Sequence, residues 1–285
     1  MGSIRKSLGI AAVLGMMTAS MALAQGGDDD TAREKLLIRD DAGLPGEVGH
    51  FPRGTPGTST GSPVSFGANW GDVYVGAGLQ APIRGSSASD GTLVVGMGFL
   101  NAMDVVGIDV SLDALSTVRS GVGNRMGLNV KVHKIFAENW GVAVGVSSIY
   151  LNNQPTDGNA SVYGVVSKVF GLENSWVPDF KALTLSLGAG NEGFRLENDI
   201  IHNNKTIGVF GSAALKMTDQ FAVIVDWPGQ DLDVGVSIVP FRDFPLIITP
   251  AIVDLTGTYC GPCYNYGNAT THARFSLGVG MAFRF

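Results

Sequence analysis

Between Asp72 and Phe285 apolar side chains recur at every second position, in runs whose length suits tilted membrane-crossing strands of about 9–11 residues. Val106, Ile108, Val110 and Leu112 alternate with Gly107, Asp109 and Ser111. The same period appears in Trp140/Val142/Val144/Val146, Leu183/Leu185/Leu187/Ala189, Phe221/Val223/Val225/Trp227 and Leu232/Val234/Val236/Ile238. A period of two gives each strand one apolar face and one face of small or polar residues. The pattern predicts twelve strands, at 72–82, 91–100, 104–112, 126–136, 140–150, 160–170, 180–189, 205–216, 220–227, 231–240, 245–255 and 273–285. In the last, "ARFSLGVGMAFRF", the residues Phe275, Leu277, Val279, Met281, Phe283 and Phe285 keep one parity as far as the final position. The end of a chain in water is usually polar and frayed, so a lipid-facing strand is the expectation.

The connections add to this pattern. "NAM", "AEN" and "MTD" are tight, whereas "DALSTVRSGVGNR", "NNQPTDGNA", 190–204 and 256–272 are long; "GLENSWVPD" and "PGQD" break the alternation. Short turns at one end and long loops at the other, with an even strand count, are the habit of outer-membrane barrels. Trp70, Tyr74, Trp140, Tyr150, Trp176, Phe241 and Phe244 lie near predicted strand ends, where aromatic girdles are expected. A secreted β-sandwich also has alternating strands and is the alternative architecture.

Ahead of the strands, Arg5 and Lys6 precede the apolar run "LGIAAVLGMMTASMALA", and Ala22-Leu23-Ala24 supplies small residues before Gln25. This reads as a secretory signal peptide over 1–24; a membrane-anchoring helix is the alternative, disfavoured by the short run and by "QGGDDD" after it. Residues 25–70 have no sustained period and end in Gly-, Pro- and Thr-rich "FPRGTPGTSTGSP", which predicts an arm before a barrel at 71–285. Two readings of the arm stand: a flexible leader, or a plug folded into the barrel lumen.

Composition agrees. Glycine takes 40 of 285 positions, about twice the usual ~7%, and is spread through the alternating segments. Charged residues make up 15%, below the ~25% of soluble domains. The net charge is −6, from 19 basic and 25 acidic residues; loss of Arg5 and Lys6 with the signal peptide leaves 17 against 25, or −8. Such an acidic balance argues against a nucleic-acid partner.

The signal peptide, the amphipathic strands and the last strand ending in Phe285 together resemble bacterial outer-membrane β-barrel proteins. "SVYGVVSKVF" and "DWPGQDLDVGVSIVPFRDFPLIITPAIVDLTG" are similar to uncharacterised barrel proteins of cyanobacterial type, which offer no activity to carry over. The resemblance covers about residues 70–285 and implies an all-β, antiparallel transmembrane barrel in the bacterial outer membrane. It also implies that Phe285 is the signal read by the barrel-assembly machinery, and that the partners are membrane lipid and small solutes or ions. The oligomeric state is left open.

Candidate chemistry is sparse. Cys260 and Cys263, in "TYCGPCYNYG", are the only cysteines, and turn formers rather than a helix follow them. In an exported protein a disulfide stapling this loop is expected; a redox pair, or a metal site completed by His272, are the alternatives. Asp226, Asp231 and Asp233 share the inward parity near one barrel end, with Glu192, Glu197 and Asp199 in a long loop close by. An acidic rim of this kind would bias a pore toward cations. Asp109 and Lys131 fall on the inward parity of neighbouring strands, which suggests a luminal ion pair. The rest of the inward face, such as Gly141, Ala143, Gly145, Ser186, Gly188 and Gly278, is small, which would leave open volume or serve strand curvature. His50, His133, His202 and His272 are scattered, with no Gly-x-Ser-x-Gly elbow, so no enzymatic activity, cofactor or metal is expected. The expected function is a passive, cation-biased channel for small solutes, with Asp109, Lys131, Asp226, Asp231 and Asp233 as selectivity groups. A non-conducting structural or surface-binding barrel, for example for polysaccharide attachment or export, is the alternative.

Overall fold

A computed structural model describes residues 54–83, 88–119, 121–136, 139–152, 159–172, 180–256 and 273–285. Within them the twelve expected strands form, as β1 (Asp72–Ala81), β2 (Asp90–Phe99), β3 (Gly107–Leu115), β4 (Met126–Phe136), β5 (Trp140–Tyr150), β6 (Ser161–Gly171), β7 (Ala182–Gly190), β8 (Gly208–Thr218), β9 (Phe221–Trp227), β10 (Asp233–Ile238), β11 (Leu246–Val253) and β12 (Arg274–Arg284). Each pairs antiparallel with its sequence neighbour, and β1 pairs with β12 from Asp72↔Arg284 to Ala81↔Phe275. The sheet is therefore closed, and no strand edge is left for lipid or another chain. Closure also excludes the sandwich.

The parity of the side chains decides what the two surfaces are. Leu93, Val95 and Met97 on β2, Val142 and Val144 on β5, and Leu185 and Leu187 on β7 point outward and are exposed. The intervening residues, such as Thr92, Val94, Ala143, Thr184 and Ser186, point inward and are buried. An apolar belt around a closed antiparallel barrel has its match in the hydrocarbon of a bilayer.

Chain direction defines a terminal end, where β1 begins and β12 finishes, and a loop end opposite it. Exposed aromatics gather at the terminal end: Phe136, Trp140, Phe170, Phe241, Phe244, Phe285 and Trp70, whose ring lies 6.4 Å from that of half-buried Phe99. Tyr74 corrects the girdle expectation. It shares parity with Asp72, faces the lumen and is only 4% exposed. Trp176 lies outside the described residues.

Two strands differ informatively from expectation. β3 runs from Gly107 rather than residue 104 and continues to Leu115, because Asp113 and Leu115 are buried on the inward face instead of opening a loop. β11 contains Pro250, which has no N–H to give the ladder. Its pairing with β10 is sparse, at Val234↔Ile252, Gly235↔Ala251 and Ile238↔Ile248.

Candidate functional site

The lumen is not empty: residues 54–69, "GTPGTSTGSPVSFGAN", run inside it. Gly54 sits beside Val239 and Pro245 at the terminal end. From there the segment climbs along β10, where Gly57 N–H donates to Ser237 Oγ at 2.7 Å. At the loop end it turns around Asp226. It then descends past β5 and β6, where Ser65 N–H donates to Ser167 Oγ at 3.0 Å, and passes β4, β3 and Gly98 of β2 before entering β1.

The turn around Asp226 is built on a single carboxylate. Backbone N–H groups of Thr60, Gly61 and Ser62 converge on Asp226 Oδ2 at 2.7, 2.7 and 3.0 Å. The Thr60 hydroxyl adds a contact at 3.1 Å, and the Ser62 hydroxyl donates to Oδ1. Ser59 Oγ lies 2.7 Å from Oδ2 and 2.6 Å from the Ser62 carbonyl oxygen, and its one proton serves one of the two at a time. An ionised carboxylate taking several N–H and O–H donors is a strong arrangement, because each bond is charge-assisted. Asp226 is 1% exposed, so these donors stand in for the water it has lost.

The descending half is held differently. Lys131 Nζ donates to the Phe66 carbonyl at 2.6 Å and lies 3.4 Å from Asp109 Oδ2. Ala68 N–H reaches the same Asp109 oxygen at 3.3 Å, and the Tyr74 hydroxyl donates to Oδ1 at 2.7 Å. His133 Nε2 is 3.1 Å from the Ala68 carbonyl oxygen, a geometry that places the ring proton on Nε2. Asn69 Oδ1 accepts from Ala102 N–H at 2.8 Å. Val64 and Phe66 pack with Ala102 and Ile135 in an apolar cluster.

The small inward residues make room for this segment. A Cβ on Gly98 would run into the backbone of Ala68 and Asn69, one on Gly141 into Ser65 and Phe66, and one on Gly235 would stand 2.7 Å from Thr60 Cγ2. The expectation of open volume is thereby corrected at these positions: the glycines accommodate chain, not solvent.

A second filling comes from the β7–β8 connection. A 3-10 turn at Glu192–Phe194 precedes a short helix, α1 (Glu197–Ile201), and turns Phe194 inward. Phe194 stacks on Phe210 with centroids 4.5 Å apart and meets Tyr163 at 5.6 Å. Gly145, Gly188 and Gly190 leave space for Tyr163, Phe210 and Phe194 respectively. Behind Phe194, Arg195 pairs with Glu192 at 2.9 Å, and Lys205 reaches Glu192 at 3.2 Å. Partial burial alone would raise the Glu192 carboxyl, but Asn159, Lys205 and Arg195 together hold it below its ordinary range. Asn204 and Thr206 donate to Asp199 and hold its carboxyl low as well.

The five residues expected to line a pore are all buried. Asp109 and Lys131 are paired as anticipated, directly opposite one another on β3 and β4. Asp226 and Asp233 oppose one another across β9 and β10. Asp231 accepts from Thr256 Oγ1 at 3.0 Å, Asp233 accepts from Asp254 N–H at 3.1 Å, and Asp254 pairs with Arg274 at 2.6 Å. The acidic group at this end is bound into protein contacts rather than spread along an open rim. Phe285 lies exposed at the terminal end with its N–H on the Gly71 carbonyl at 3.0 Å. Cys260, Cys263, His272, His50 and the 1–24 signal lie outside the described residues. Ser59 to Ser62, Tyr74, His133 and Phe194 were not anticipated as site residues. Tyr74 and His133 were accessible through parity, whereas an aperiodic stretch like 54–69 carries no pattern that locates its partners.

The chain is thus a transmembrane β-barrel of the outer-membrane class, closed, even-numbered and lipid-faced, with its lumen occupied by its own polypeptide. Solved barrels resemble it at low identity. The Acinetobacter baumannii outer membrane protein Omp33 matches at 10% identity over 75% of this chain and 97% of that one, with a TM-score of 0.39. The NanC porin matches at 14%, over 75% and 100%, with a TM-score of 0.42. Outer membrane phospholipase A from Escherichia coli matches at 9%, over 76% and 98%, with a TM-score of 0.41. No protein-family model and no curated protein matches the sequence. The expectation that the protein is not an enzyme is corrected: the last of these barrels is by name a phospholipase.

Proposed function

We propose that the protein is an outer-membrane channel for small solutes or cations whose lumen, in the form described here, is closed by residues 54–69. The observation that carries this reading is the chemistry of the closure. The half of the segment nearest the loop end is attached through hydrogen bonds to one carboxylate, contacts that water can replace, rather than through a fused apolar core. With the segment displaced, Asp226, Asp231 and Asp233 would face the vacated space and lower the entry barrier for cations. Short turns support a periplasmic terminal end, and assembly through the last strand and Phe285 belongs to the same reading.

The test is conductance in a planar bilayer, with unequal salt on the two sides, of the chain from Gln25 to Phe285 and of an equally long chain in which residues 54–63 are replaced by a Gly-Ser repeat. The expected result is rare openings from the first and steady, cation-preferring openings from the second. Silence from both, with folded barrels confirmed by heat-dependent gel migration, would overturn the channel and favour a structural barrel that displays its loops for surface binding. That second reading draws on the same filled lumen.

A further inference from the structure

The luminal segment has two unlike halves. Residues 54–62, "GTPGTSTGS", contain no large apolar side chain. Their removal from the lumen exposes little hydrocarbon, so little hydrophobic stabilisation opposes it. Residues 63–69, "PVSFGAN", carry Val64 and Phe66, both buried in the cluster with Ala102 and Ile135. They are also gripped at several backbone positions by groups on β3, β4 and β6 and continue directly into β1.

The attachments differ in the same sense. On the first half, five donor groups of Thr60, Gly61 and Ser62 depend on Asp226, so one side chain controls the turn, and Gly57 N–H on Ser237 Oγ adds a separate backbone attachment below it. On the second half Asp109, Lys131, His133 and Ser167 each hold a separate point, so loss of one leaves the others. Gly67 is wedged so closely that a Cβ there would stand 2.7 Å from Lys131 Cε and 2.9 Å from Asp109 Oδ2.

We propose that the turn Ser59–Ser62 on Asp226 is a releasable latch and that Pro63–Asn69 is a fixed anchor, so that the lumen opens by local detachment of residues 54–62 while the rest of the segment stays in place. This deepens the channel reading and rests on it for its functional meaning. Local openings of this kind are drawn from segments with few buried apolar contacts, which describes 54–62 and not 63–69.

The experiment uses the chain from Gln25 to Phe285 with Asp226→Ala, and Asp226→Asn as the milder variant should the first fail to fold. Two quantities are read: open fraction in a planar bilayer, and amide hydrogen exchange of the luminal segment. Loss of charge-assisted bonds to the latch predicts an open fraction raised about 10- to 100-fold. It also predicts loss of protection at Thr60, Gly61 and Ser62, with Ser65 and Ala68 as protected as before. If the Gly-Ser replacement chain conducts while the Asp226 variants stay closed, the latch is overturned and the channel stands. If the replacement chain is silent, the channel falls, and the exchange pattern alone decides the latch. Uniform loss of protection across 60–68, or no change at 60–62, overturns it in either case.

Discussion

Asp109 and Lys131 stand directly opposite each other on β3 and β4, 3.4 Å apart, and each is more than nine-tenths buried. Their main partners lie on the luminal segment and β1: Ala68 N–H and the Tyr74 hydroxyl for Asp109, the Phe66 carbonyl for Lys131. The pair therefore reads as a clamp on the chain entering β1. Truncating one member leaves the other charge buried without its counter-ion, so Lys131→Met should destabilise the folded barrel by about 3–5 kcal/mol. Combining it with Asp109→Asn should recover part of the loss. Urea titration of barrel migration on a gel checks both, and a double variant no better than the single would show that the two side chains act independently.

Gly98 tests whether the glycines of the inner wall exist for the segment. Its Cβ would collide with the backbone of Ala68 and Asn69, which cannot rotate away as a long side chain can. Gly98→Ala should cost about 1–3 kcal/mol by overpacking. Gly123, in the β3–β4 loop with φ +87° and no neighbour within 4 Å, is the contrast: substitution there meets no luminal chain, only backbone strain. If the chain carrying the Gly-Ser replacement of 54–63 shows the same Gly98→Ala penalty as the parent, the anchor half alone sets it, as Ala68 and Asn69 predict.

How far the sequence could reach is clear from these residues. The outward face was legible because lipid demands an unbroken apolar parity, and β4 and β5 match their predicted bounds. β3 was misplaced by three residues because Asp113 and Leu115 obey luminal packing, which alternation does not encode. The ion pair of Asp109 and Lys131 followed from parity and strand order alone. What filled the lumen stayed open between a flexible leader and a plug, since a run of Gly, Ser and Thr is equally the composition of a loop in water and of a strand-free chain threaded between glycines. Its partner Asp226 was visible as an inward acid, but only the fold brings it to a turn 164 residues earlier in the chain.

The β7–β8 connection should respond to acid. Glu192 and Asp199 both have carboxyls held below their ordinary range by Asn159, Lys205, Arg195, Asn204 and Thr206. A depressed folded pKa stabilises the folded loop above the unfolded value, about 4, and that contribution is lost as pH falls through the folded pKa. Amide protection of Glu192 to Thr206 should therefore hold from neutral pH to about 5 and decline below 4. Asp199→Asn should weaken protection at neutral pH and flatten the profile. A loop whose protection is the same at pH 3 and pH 6 would remove these carboxylates from any role in its order.

Phe194 closes a different part of the lumen from the latch, and the two closures should be separable. It reaches inward from the loop end and lies against Phe210 and Tyr163, while its carbonyl crowds Gly208 and Gly229. Gln230, next to the Asp226 region in sequence, fixes the turn by donating to the Gly193 carbonyl at 3.1 Å. Deleting the ring leaves a cavity among aromatic neighbours, so Phe194→Ala should lose about 3–5 kcal/mol of stability. With residues 54–69 still in place, the same change should leave openings as rare as in the parent chain, because the segment continues to block the path between the two ends. In the Gly-Ser replacement chain it should raise the single-channel conductance above that of the replacement alone, since the ring would then be the remaining obstruction on the β6–β8 side. Equal conductance with and without the ring would place the open path wholly along β9 to β12, beneath the position vacated by Thr60 and Gly61.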